Sequence, residues 1–170
     1  MNWDKRWFQY SILLLLAFVW GSSFILMKIG LRSFSSNQAA AIRILLASLV
    51  LLPLAIKNLK YLKRKDLKNL LIAGFIGTFI PAFLFTKAQT RLDSALAGML
   101  NSLTPLFTLI VGLMFHKTKT GWKQILGLIL GLLGALWLIS LGEGVSLKNF
   151  NTYELFIVLA TLLYGTNVNV

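Results

Sequence analysis

The chain has 170 residues, of which 57% are hydrophobic and only 13% charged. A soluble domain carries about 25% charged residues, so this chain cannot coat its own surface with polar groups, which argues against a soluble enzyme, a cytosolic binding module or a disordered segment. The formal charge of +12 does not mark a nucleic-acid binder, because the basic residues fall in short clusters between long apolar runs, and the absence of cysteine removes disulfides, thiolate metal sites and cysteine nucleophiles.

A bilayer core about 30 Å thick needs about 20 apolar helical residues. Five such stretches follow one another, over residues 8–31, 38–56, 67–86, 94–115 and 124–141, and a sixth begins near residue 153 and is still running at 170. The links are short, so neighbouring spans should be antiparallel helices. Period-2 strands are absent, which argues against a β-barrel. The expected fold is therefore all-α, a polytopic membrane helix bundle. Lys5 and Arg6 before a Leu-rich run resemble a signal peptide, but the run is too long and no small-x-small cleavage site follows it.

Orientation follows from the lysines and arginines. One side of the membrane receives eleven: Lys5 and Arg6, the second link from Lys57 to Lys68, and Lys117, Lys119 and Lys123. The other receives five: Lys28, Arg32, Lys87, Arg91 and Lys148. The positive-inside rule then puts the N-terminus in the cytoplasm of a cell whose inner membrane holds the chain.

An internal echo comes next. Trp20-Gly21-Ser22-Ser23 in the first span and Tyr164-Gly165-Thr166-Asn167 in the sixth both read aromatic, glycine, hydroxyl, polar. Five spans separate the starts of the two copies, so the second must enter from the opposite face. That is an inverted-topology repeat, an architecture common in secondary transporters.

The run Phe18-Val19-Trp20-Gly21-Ser22-Ser23-Phe24 with Lys28, and Arg43-Ile44-Leu45-Leu46-Ala47 in the second span, resemble the EamA-type drug/metabolite transporters. So do Thr86-Lys87-Ala88 through Ser94-Ala95, Leu103-Thr104-Pro105-Leu106-Phe107, and the Gly-rich fifth span. The resemblance implies ten helices in two inverted five-helix halves. Residues 1–141 would be the first half, 142–151 an external link, and 152–170 the start of the second repeat. The chain departs from the family at the end of the fourth span, where His116-Lys117-Thr118-Lys119 stands in place of the Gly-Glu pair that many members carry.

All three prolines, Pro53, Pro81 and Pro105, fall inside spans, where each frees a backbone carbonyl that needs a protein or water partner. Around them run polar stripes at helical spacing: Trp20, Ser23 and Met27 on the first span; Gly74, Thr78, Pro81 and Phe85 on the third; Ala97, Asn101, Thr104 and Thr108 on the fourth. A solute cavity lined by the first, third and fourth spans would draw on Trp20, Ser23, Thr78, Phe85, Asn101 and Thr104. Hydroxyls and amides there replace a hydration shell, and Trp20 and Phe85 form apolar walls. The same hydroxyls are also explained by bonds to their own helices or between helices. Arg43, inside the second span, reads either as an anion-attracting or gating group, paired with Asp93, Glu143 or Glu154, or as a side chain reaching to the interface; Lys28 reads more simply as the latter. Gly127, Gly131 and Gly134, and Ser94, Gly98 and Ser102, form small-residue faces suited to helix packing.

His116 is the single histidine, and the acids Asp4, Asp66, Asp93, Glu143 and Glu154 are dispersed. No metal-ligand set, carboxylate pair or catalytic triad can be assembled from them. The expectation is therefore no enzyme, no cofactor and no metal, but membrane transport of small metabolites or drug-like solutes by alternating access. An auxiliary structural membrane subunit is the alternative, and a lipid-modifying membrane enzyme a weaker one. The partners expected are the lipid bilayer, a small-molecule solute, and a missing C-terminal half or a second copy of the chain, with no nucleic acid. Alone, the chain is expected to insert without transporting.

Overall fold

The computed structural model describes residues 5–115, 120–141 and 151–169, and every regular element among them is helical. Helix α1 spans Arg6–Gly30, α2 Ser36–Asn58, α3 Leu67–Gly74, α4 Ile80–Gln89, α5 Ser94–Asn101, α6 Thr104–Phe115, α7 Trp122–Leu141 and α8 Thr152–Asn167. Four continuous stretches are long and apolar enough to cross a membrane: Arg6–Gly30, Ser36–Tyr61, Arg64–Gln89 and Ser94–Phe115. Trp122–Trp137 is a shorter apolar helix. The link 142–151 lies outside the described residues except for Asn151, as do His116, Lys117, Lys119, Glu143 and Lys148.

Local chemistry starts the helices where the links end. Ser35 caps α2 in a reciprocal box: its Oγ accepts from Gln38 N at 3.3 Å, and Gln38 Oε1 accepts from Ser35 N at 3.0 Å. Asn151 does the same for α8. Its Oδ1 accepts from Tyr153 N at 2.8 Å, while Glu154 Oε2 accepts from Asn151 N at 2.6 Å. The basic link after α2 forms two 3-10 turns, Leu59–Tyr61 and Arg64–Asp66, exposed except at the half-buried Asp66.

Two of the three prolines do not interrupt a regular helix, as their spacing had implied. The third span passes through a π-helical turn, Phe75–Phe79, in which Ile80 N reaches back to Phe75 O, and Pro81 follows as the second residue of α4. The fourth span breaks at Ser102 and Leu103, whose N–H groups bond Met99 O and Leu100 O at 3.0 and 3.1 Å. Pro105 is then the second residue of α6. Pro105 thus sits in a first helical turn, where a missing N–H is tolerated, whereas Pro81 follows the π-helical turn within the continuous stretch Arg64–Gln89. Pro53 lies within α2.

Helix α8 is the hub. It packs against α4, α5, α6 and the π-helical turn, while α2 lies on α4, α1 on α5 and α4, and α7 on α5. Small residues permit the close fit: Ala160, Thr161 and Gly165 on α8, and Ala82, Thr86 and Ala88 on α4, are all buried. The core proper gathers Met27, Phe85, Ala88, Leu92, Ala97, Leu100, Ile157 and Ala160. Of the two small-residue faces, the one on α5 is packed: Gly98 meets the Phe24 ring, and Ser94 Oγ donates to Phe24 O at 3.1 Å. Gly127, Gly131 and Gly134 on α7 face open space.

Candidate functional site

A cavity of about 1100 Å³ lies among the helices. Helix α1 contributes Trp20, Ser23, Phe24 and Met27; α2 contributes Arg43; α4, Phe85; and α5, Gly98 and Asn101. Thr104, Pro105, Thr108 and Leu109 come from α6, Gln124 and Leu128 from α7, and Tyr164 and Asn167 from α8, followed by Val168 and Asn169. The proposed site residues Trp20, Ser23, Phe85, Asn101 and Thr104, together with Arg43, thus line one space. Thr78 does not line it.

The break in the fourth span shapes the polar wall. Asn101 ends α5 and Thr104 opens α6, so both project at a discontinuity rather than along one regular face. Thr104 Oγ1 donates to Asn101 Oδ1 at 3.3 Å, and Thr108 Oγ1 donates to Thr104 O at 2.9 Å. Asn169 Nδ2 then ties Thr108 O at 3.0 Å to Gly165 O at 2.9 Å, joining α6 to α8. The Asn101 amide nitrogen is left to the cavity. Ser23 Oγ donates to Trp20 O at 2.7 Å, so the hydroxyl serves its own helix and offers the cavity its lone pairs.

The apolar wall is aromatic. Phe85, 4% exposed, stacks on Tyr164 at 5.8 Å and 27°, and meets Phe24 at 5.9 Å and 55°. Trp20 lies open beside them. Arg43 stands at the edge of this group, with Nη1 3.5 Å from Met27 Sδ. Neither candidate carboxylate pairs with it: Glu154 is committed to the α8 cap, and Asp93 is exposed ahead of α5. Glu143 lies outside the described residues.

Thr78 is absent from the cavity because the π-helical turn carries an extra residue and rotates the face. A period of 3.6 from Gly74 to Phe85 does not survive it. Gly77 turns toward α8 instead, and a Cβ there would overlap the Asn167 carboxamide. Asn167 Oδ1 is buried without a partner at this contact.

The residues that spacing alone had not assigned are those of α8 and Lys28. Tyr164, Gly165 and Asn167 were legible in one way, as the echo of Trp20, Gly21 and Ser23. Lys28 does not reach for water. Its Nζ donates to Gln89 O at 2.9 Å and Leu92 O at 2.8 Å, capping the end of α4. Gln89 Nε2 returns a bond to Phe24 O at 3.2 Å. Residues 61 to 65 apart in sequence are thereby clamped at the end of the bundle opposite the basic link. Among the described residues no group of three potential metal ligands assembles.

Comparison with known proteins fits this architecture. Residues 7–140 match the model of the EamA-like transporter family. The uncharacterized inner membrane transporter YedA of Escherichia coli K12 is 31% identical over 138 residues, covering 79% of this chain and 44% of YedA. The uncharacterized transporter YdfC of Bacillus subtilis is 28% identical over 127 residues, 74% of this chain and 41% of YdfC. A probable amino-acid metabolite efflux pump of Salmonella typhimurium is 26% identical over 145 residues, 81% of this chain and 46% of the pump. The chain spans less than half the length of these relatives. No solved structure matches it. The chain belongs to the EamA-like transporter family and is a multi-pass membrane protein.

Proposed function

We propose that this member of the EamA-like family carries half of a small-metabolite transporter, working by alternating access in the inner membrane with its N-terminus in the cytoplasm. The cavity supports this most directly. Its volume of about 1100 Å³ lies just above the usual range of small-molecule sites, about 300–1,000 Å³, and its wall combines an aromatic cluster with amide and hydroxyl groups. Trp20, Ser23, Phe85, Asn101 and Thr104 are the residues we assign to the solute, with Arg43 as the anion-attracting group; Thr78, in the π-helical turn and off the cavity wall, is not assigned to it. A second five-helix half, on the same polypeptide or from a second copy, closes the site and supplies the face against which this one rocks. The relatives' greater length and the Trp20/Tyr164 echo favour that arrangement.

The test is solute flux in proteoliposomes. Protein with both halves present should give saturable uptake or release of small amphipathic solutes, and Trp20→Ala or Asn101→Leu should each lower it several-fold at unchanged membrane abundance. Full activity in both variants removes them from the site, and no saturable flux for any solute favours the auxiliary subunit instead.

Orientation has its own measurement. The eleven-to-five bias in lysines and arginines predicts that a cysteine placed at Lys63 stays unlabelled by an impermeant reagent in intact cells, while one at Ser35 is labelled. The reverse pattern inverts the topology.

A further inference from the structure

We infer that the solute is an amphipathic organic anion with a single carboxylate, held by Arg43 at one end and by the aromatic wall along its body. This rests on the reading of the cavity as the transport site. Among the described residues that line the cavity, Arg43 alone carries a charge, and no aspartate or glutamate lines it. A guanidinium has five N–H donors in a planar fork. The contact that the structure gives it is a thioether at 3.5 Å, a weak acceptor that answers one donor and none of the charge. The fork's natural complement is a carboxylate, bound through two parallel hydrogen bonds. One positive charge balances one negative charge, so a monocarboxylate fits, whereas a phosphate monoester would leave a net charge among apolar helices. A cation is repelled.

The surroundings of Arg43 define the rest of the molecule. Phe85, Tyr164 and Phe24 form a contiguous ring surface next to it, and Trp20 extends that surface along α1. An aromatic or branched apolar body can lie there, while the free amide nitrogen of Asn101 meets a polar substituent across the cavity. The position of Arg43 on α2 and that of the rings on α1, α4 and α8 make recognition depend on these helices staying together. Charge recognition and closure of the bundle would then be one event.

The probes are three molecules of one shape: 3-phenylpropionate, 3-phenyl-1-propanol and 3-phenylpropylamine. Binding of each to the full chain in phosphatidylcholine nanodiscs at pH 7 is measured by competition with radiolabelled 3-phenylpropionate, and directly for the alcohol by calorimetry. The acid should bind at least about tenfold more tightly than the alcohol, the margin expected of charge-assisted bonds, and the amine more weakly than either. Arg43→Gln should bring the acid-to-alcohol ratio to about one. Arg43→Lys should retain part of it, because it keeps the charge and loses the fork. A ratio of affinities does not depend on the fraction of chain folded, so partial misfolding of a variant does not mimic the result. Equal binding of the three probes, or an acid preference that survives Arg43→Gln, overturns the inference. Displacement of the acid by phosphatidylglycerol at low mole fraction, with no preference among the soluble probes, assigns Arg43 to a lipid headgroup and overturns it too. Trp20→Ala separates this failure from that of the cavity reading: it removes part of the apolar wall without touching Arg43, so it should weaken all three probes together. If Trp20→Ala leaves all three affinities unchanged, or none binds to the unaltered chain, the cavity is not the site and both readings fall.

Discussion

Gly165→Leu should abolish the seating of α8 and leave little folded protein. A Cβ built on Gly165 would stand 2.7 Å from Phe107 Cβ, 2.7 Å from Thr108 N and 2.8 Å from Phe107 C. Two of these atoms belong to the backbone of α6 and cannot swing aside as a side-chain tip does, so the two helices must separate. Overpacking of this kind costs about 1–3 kcal/mol when neighbours can give, and the alanine variant should sit at the upper end of that range. Leucine adds three more carbons where even the first does not fit, and separation also breaks the Asn169 bonds to Thr108 O and Gly165 O. Because α8 touches α4, α5, α6 and the π-helical turn, losing it loosens most of the core. Thermal unfolding in detergent, followed by intrinsic fluorescence, is the measurement. Gly134→Leu is the control, since the same substitution there meets open space. Similar melting temperatures for the two variants would remove α8 from its place as the hub.

What the sequence could and could not convey is clearest in the third and fourth spans. Apolar length marked both, and the fourth runs over residues 94–115 in sequence and structure alike, because burial in lipid demands length and hydropathy and little else. Their interiors were less legible. Pro81 and Pro105 announced that something gives way, but proline chemistry is satisfied equally by a kink, a π-helical turn or a fresh helix start. The choice depended on α8, which presses Asn167 against Gly77 and Gly165 against Phe107. Thr78 illustrates the consequence: correct helical spacing placed it on a face that the extra residue of the turn rotates away. Asn101 and Thr104 survived the same uncertainty because they flank the break, where both project whatever its form. The place of Tyr164 and Asn167 on the cavity wall was readable only through their likeness to Trp20 and Ser23, since nothing in a single apolar helix says which neighbour it will meet.

Lys28→Glu should destabilise the chain by about 4 kcal/mol, and Lys28→Met by about 2 kcal/mol, given about 1.5–3 kcal/mol for a hydrogen bond to a charged group. The lysine brings a positive charge to the carbonyls that close α4, where the helix dipole concentrates negative potential. Methionine keeps the apolar stem and removes the charge and both bonds, leaving Gln89 O and Leu92 O to find other donors. Glutamate adds repulsion by placing a carboxylate against two acceptors and the negative end of the helix. For a chain of this size, about 2–4 °C of melting temperature accompany each kcal/mol, so the glutamate variant should melt roughly 10 °C below the parent. Lys87→Glu is the matched control: its side chain is exposed near the same end of α4, and its reversal should change little. High salt should relieve a surface repulsion but not one within a part-buried clamp, so the deficit of Lys28→Glu should persist in 1 M salt. A deficit equal to that of Lys87→Glu, or one that salt erases, would mean that Lys28 reaches to the interface after all. The clamp also bears on function, because it joins α1 to the turn between α4 and α5 beside the aromatic wall, through Phe24 O and its bonds from Gln89 and Ser94. Any motion that parts α1 from α4 at this end must first release Lys28. If the clamp governs access to the cavity, Lys28→Met should accelerate solute exchange through this end even as it lowers stability, whereas a lysine that only anchors the fold would lower both together.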